Sequence, residues 1–207
     1  MMNSRSRQPW CFLAAAALAL IGTAPGKTQE QRTPATTPRD VQGRVEPPSA
    51  PGAGQAFLKT FEGEWTVERN FYPPSGGAPN RATGEATQKM VQDGRFLQSD
   101  FTFHQNGETS TGTGISGFDP QTGLFTTFWY ASRSTQFSIR QSREPFDGKQ
   151  IVLYSAGVGG KPDRLSRTVS HLEDNGRRLI HQQFNIGADG KERLLMELIL
   201  VRKASGR

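Results

Sequence analysis

Cysteine is all but missing. Cys11 stands alone, inside an apolar stretch near the start of the chain. If that stretch is removed, no thiol remains, which excludes disulfides, thiol catalysis and cysteine-bound metal. Histidine is nearly as scarce. His104, His171 and His181 are the only three, and none shows an H-x-H or H-E-x-x-H spacing, so no metal-ligand motif is present. No apolar run reaches the roughly 18 residues of a spanning helix, so no membrane insertion is expected beyond the targeting segment. Positive charge is not concentrated either. The formal charge is +6, but Lys and Arg are scattered along the chain, which argues against nucleic acid as a partner. No G-x-S-x-G elbow marks a serine nucleophile. No stretch after Glu62 reads as a long helix, which excludes parallel α/β folds.

What is present begins with targeting. Arg5 and Arg7 precede the apolar run Trp10 to Ile21, and small residues follow from Gly22 to Gly26. About a dozen apolar residues suit a signal h-region and are short for an anchor. Cleavage after Ala24 places Pro25 beside the cut; cleavage after Gly26 leaves Lys27 as the new terminus. Residues 1–26 are therefore expected to be a signal peptide and the protein to be periplasmic or extracellular, with retention as a short anchor the alternative. Residues 27–54 carry Pro34, Pro38, Pro47, Pro48 and Pro51 among Thr, Gln, Gly and Ala. Too little apolar surface is available there to offset the entropy of ordering, which predicts a disordered Pro-rich linker.

Residues 55–207 are expected to form one all-β domain. Phe57, Leu58 and Phe61 give a short helical turn, Gln55 to Glu62, ended by Gly63. The period then changes to two: Trp65, Val67, Arg69 and Phe71 alternate with Thr66, Glu68 and Asn70. From there, turn signals recur at Asp93-Gly94, Asn106-Gly107, Asp119-Pro120, Asp147-Gly148, Asn175-Gly176 and Asp189-Gly190. They mark out about ten strands with short connections. Hairpin-only connectivity favours an antiparallel up-and-down β-barrel, which also removes exposed sheet edges.

The ordered segments Phe61-Glu62-Gly63-Glu64-Trp65, Tyr72 to Pro79, Asp93 to Leu97, Gly114 to Asp119, Trp129, Asp189 to Glu192 and Met196 to Lys203 resemble the domain-of-unknown-function family numbered 1579, mostly bacterial proteins. The resemblance runs from about Phe57 to Lys203. It implies a lipocalin-like, calycin-type barrel and no established activity. It also implies that Arg202, at the end of the last strand, lies over Trp65, at the start of the first, and that the helical turn plugs that end. The family has Asp two residues after the tryptophan; here that position is Ala131. The physical case for the contact is independent of the family. First and last strands of a closed meander are neighbours, antiparallel when the strand number is even. Ligand entry is then expected at the opposite end.

Several features bear on chemistry. Gly112-Thr113-Gly114-Ile115-Ser116-Gly117 spells G-x-G-x-x-G, but a turn and another strand follow where a dinucleotide site needs a helix. The glycines are expected to permit strand curvature instead. Asp100 and Glu197 are the acids inside otherwise apolar strands. Two inward carboxylates can share a proton; outward positions explain them more simply. A single-histidine haem site, as in some lipocalin-like barrels, points to His181; surface or rim positions are the simpler reading for all three histidines. No cofactor or metal is expected. Aromatic rows are more informative. Phe101 with Phe103, Phe125 with Trp129, and Phe137 with Ile139 each share a strand face. These rows either line a cavity for a small apolar ligand or fill the core. The sequence therefore leaves three functions open: first an apolar-ligand binder, then a ligand-free envelope scaffold or interaction module, and last a barrel enzyme using Asp100, Glu197 or a histidine.

Overall fold

A computed structural model describes residues 50–155 and 165–204. The expected signal peptide and the linker up to residue 49 lie outside the described residues. A short helix, α1 (Ala53–Lys59), precedes ten strands: β1 (Gly63–Phe71), β2 (Asn80–Val91), β3 (Phe96–Gln105), β4 (Glu108–Asp119), β5 (Leu124–Ala131), β6 (Ser138–Gln141), β7 (Ile151–Ser155), β8 (Leu165–Glu173), β9 (Arg178–Ile186) and β10 (Glu192–Arg202). Each strand pairs with the next, and β1 pairs with β10, closing the sheet into a barrel. The all-β, ten-stranded antiparallel up-and-down barrel expected from the turn spacing is the fold of the protein.

The helix begins two residues earlier than Gln55 and stops at Lys59. Its first turn explains the difference. The Gly52 N–H donates to Gln55 Oε1 at 2.7 Å, and Gln55 Nε2 donates to the Phe118 carbonyl of β4 at 2.7 Å. One amide side chain thus caps the helix and ties it to the barrel. Residues 52–54, expected in the linker, are part of the folded domain. Leu58 and Phe61 are buried beneath the helix. With Phe57 they plug one end of the barrel, where Trp65, Leu97, Phe125 and Leu200 complete the core.

Barrel closure joins β1 to β10 in the register Trp65↔Arg202, Val67↔Leu200 and Arg69↔Leu198. The Arg202 guanidinium lies 4.2 Å from the Trp65 ring centroid. It donates to the carbonyls of Thr60 at 2.9 Å, of Gly176 at 3.1 Å, and of Glu62. The fully buried indole donates in turn to the Phe61 carbonyl at 3.1 Å. A planar five-donor fork serves all these acceptors while stacking, which an ammonium group does not. Gly63 is required for two reasons. Its φ of +137° disfavours side chains, and a Cβ there would come 2.5 Å from Arg202 Nη1.

Candidate functional site

Above the α1 plug the barrel is hollow. A cavity of about 450 Å³ runs from Leu58 and Phe61 to a rim that includes Ser110, Thr111 and the exposed Arg133. It therefore reaches the end of the barrel opposite the Trp65–Arg202 closure. Its two sides differ in chemistry because different strands supply them.

The aromatic side comes from β3 and β5. Phe101 and Phe103 stack at 5.7 Å between centroids, and Phe101 meets Trp129 edge-on at 5.6 Å. All three line the cavity. A Cβ at Gly112 would lie 2.3 Å from the Trp129 ring. The glycine on β4 thus clears space for the indole to lie across the strand, a steric role beyond the strand curvature expected of it.

Two of the other aromatic candidates stand elsewhere. Phe125 points inward but sits at the plugged end, 1% exposed, packed against Phe118 at 4.8 Å and Phe146 at 5.1 Å. It fills core and does not line the cavity. Phe137 is on the outside, 68% exposed, against Tyr130 at 6.1 Å. The register Trp129↔Ser138 and Phe128↔Ile139 is the reason. Trp129 faces in, so Ser138 and Arg140 face in with it, and alternation turns Phe137 and Ile139 out.

The polar side comes from β6, β8 and β9. On β8 the inward row is Ser166, Thr168 and Ser170, all at least half-buried. On β9 the inward His181 meets Ser170 Oγ through Nδ1 at 2.8 Å. Burial pushes the His181 pKa down to about 4, with the nearby Arg140 charge as a second cause. The ring is therefore neutral at pH 7. Arg140, on β6, donates from Nη1 to Ser166 Oγ at 2.8 Å, and its own pKa is lowered by burial. Nearer the rim, Arg69 lies 4.6 Å from the Phe103 ring centroid and donates to Gln105 Oε1 at 3.0 Å. Burial and the Arg133 charge lower its pKa.

The two acids singled out in the sequence are on the outside of the barrel. Asp100 accepts from Gln98 Nε2 at 2.7 Å and Thr113 Oγ1 at 2.8 Å; Glu197 accepts from Gln182 Nε2 at 2.9 Å. Their inward neighbours Ser99, Phe101, Met196 and Leu198 line the cavity instead. The two carboxylates do not meet and cannot share a proton. His104 and His171 also face outward. Among the described residues, no three His, Cys, Asp or Glu side chains are placed to hold a metal ion.

Sequence reasoning passed over Arg140 and the Ser166-Thr168-Ser170 row. The signal was there as alternation. Ser138-x-Arg140 and Ser166-x-Thr168-x-Ser170 each place polar groups on one face. Such rows read as solvent-facing when polar is equated with outside, whereas the wall of a polar cavity inverts that rule.

No curated protein sequence matches the chain. Solved structures that resemble it include Rv2717c from M. tuberculosis, at 14% identity and a TM-score of 0.54, covering 75% of this chain and 100% of that one. An S-type phycobiliprotein lyase, CPES from Guillardia theta, is 12% identical with a TM-score of 0.49, covering 81% and 98%. Identities this low bear on the fold alone. The family described as a protein of unknown function, DUF1579, matches residues 50–202, from the start of the helical plug to the closing arginine, and the chain belongs to that family.

Proposed function

We propose that the protein is exported and that its barrel holds one small, mainly apolar molecule. The observation that carries this reading is the cavity itself. At about 450 Å³ it falls within the roughly 300–1,000 Å³ of small-molecule sites. Three aromatic rings form one side of it, and a core packed for stability alone leaves no such space. Export rests on Arg5, Arg7, the Trp10 to Ile21 run and the small residues that follow. Native mass spectrometry of protein purified from its own compartment tests both parts. The expected mature chain starts at Pro25 or Lys27 and carries a reproducible extra mass. In parallel, N-phenyl-1-naphthylamine should bind with one-to-one stoichiometry and quench Trp129, and Ser99→Phe, which fills the cavity, should abolish binding. A chain that retains Trp10 to Ile21 overturns export. Absence of both the extra mass and probe binding overturns the ligand.

A second reading, an interaction module, draws on the outer face of β5 and β6, where Phe128, Tyr130 and Phe137 are exposed. It gains if the cavity takes no probe and sedimentation shows self-association that Phe137→Ser and Tyr130→Ser remove.

A further inference from the structure

Among the described residues that line the cavity, Arg140 has no acidic partner. Its guanidinium is held inside by the β5–β6 register, its Nη1 donates to a neutral serine hydroxyl, and Nε and Nη2 have no acceptor among the described residues. The other arginines of the cavity are provided for. Arg69 stacks on Phe103 and bonds Gln105; Arg133 pairs with Glu108 at 2.6 Å. Among the described residues, no Asp or Glu lines the cavity. His181, which faces Arg140 from β9, is neutral at pH 7 and already bonded to Ser170. The Thr168 hydroxyl, between Ser166 and Ser170 on the inward row of β8, is buried and has no partner. A half-buried guanidinium with no counter-charge among the described residues is costly to maintain. Its planar fork suits two-point recognition of a carboxylate or a similar oxyanion. Arg69 and Arg140, with no acid among the described residues that line the cavity, also draw anions toward the site.

We propose that Arg140 anchors an anionic head group, so that the cavity takes an amphipathic anion whose apolar body lies against Phe101 and Trp129. This rests on the small-molecule reading above and narrows it to a ligand class. Trp129 pairs in register with Ser138, two residues from Arg140, so the head group and the apolar body have adjacent supports.

The test compares two probes with one aromatic body. 8-Anilinonaphthalene-1-sulfonate carries an anion, and N-phenyl-1-naphthylamine is the same body without it. The native protein should bind the sulfonate at least tenfold more tightly. Arg140→Met should remove that preference, so that the two probes bind within twofold of each other. It should also raise the melting temperature of the ligand-free barrel, since an unpaired buried charge is gone, a readout independent of binding. Arg140→Gln provides a second variant if the Met form does not fold, with the same expected loss. If the native protein binds neither probe, the cavity reading itself fails. If both bind alike, or the preference survives in the Arg140 variants, the anchor is overturned and the apolar site stands. If Arg69→Gln removes the preference in place of Arg140→Met, the anion sits at the rim and the assignment to Arg140 is wrong.

Discussion

His181 shows how far one side chain can be moved from its solution behaviour by its place in a barrel. Its ring is enclosed between β8 and β10, bonded to Ser170 and close to the Arg140 charge, and its pKa is about 4 against an ordinary 6.5. The sign of the consequence follows from proton counting. Between pH 6.5 and 4 the unfolded chain binds a proton at this position and the folded chain does not, so acidification favours unfolding. At pH 7 both states are neutral and the group contributes nothing. At about 1.4 kcal/mol per pH unit, the loss on going from pH 7 to pH 4 is about 3 kcal/mol. In urea melts, the stability difference between the native protein and His181→Asn should change by that amount between pH 7 and pH 4, with the variant losing less on acidification. Parallel curves over that range would show that the ring is hydrated and protonates freely.

At the scale of elements, the closed end depends on three parts meeting at one guanidinium. Arg202 leaves β10, stacks on the Trp65 ring of β1, and bonds carbonyls at the end of α1 and in the turn after β8. The helix is too short to be stable alone, so this clamp and the burial of Leu58 and Phe61 hold it over the barrel end. Arg202→Ala removes the stack and leaves several carbonyls without a donor. The expected cost is about 2–4 kcal/mol on denaturant melts. Arg202→Lys should recover only part of it. Because the clamp lies beneath the cavity floor, the affinity of N-phenyl-1-naphthylamine at a temperature where both proteins are folded should be unchanged. A changed affinity with unchanged stability would place Trp65 and Arg202 in the binding site rather than in the closure.

At the scale of the whole molecule, the boundary of the folded unit can be drawn to the residue. Gly52 and Gln55 are bonded into the domain, and Gln55 reaches β4. Residues 27–51 are Pro-rich, with little apolar surface to bury. A chain starting at residue 50 should therefore match one starting at Lys27 within about 0.5 kcal/mol. A chain starting at Gln55 loses the Gly52–Gln55 cap and the first turn of α1, and should be about 1–2 kcal/mol less stable. Differential scanning calorimetry of the three lengths decides it. Equal stability of the two shorter chains would mean that the cap contributes nothing, and a large loss on removing residues 27–49 would reveal an arm docked on the barrel.

Much of this was legible in the chain itself. Turn residues at short intervals and alternation of period two are local signals, and the Trp65–Arg202 pair follows once an even number of sequential strands closes on itself. Local backbone preferences and hairpin geometry translate them directly into ten strands and a sequential barrel. The sequence also brought Phe101, Phe103, Trp129 and His181 forward as residues of strand faces. It could not decide which face of a strand points inward when both are mixed in polarity. Phe137 and Arg140 lie three residues apart in the same short segment, and hydrophobicity alone puts the phenylalanine inside. Only the pairing of Ser138 with Trp129 across β5 and β6 reverses that choice. One strand's register fixes the facing of its neighbour, and a one-residue difference exchanges inside for outside. The charge inside this barrel, and with it the class of ligand that the cavity favours, is therefore a property of the closed sheet and not of any single stretch of its sequence.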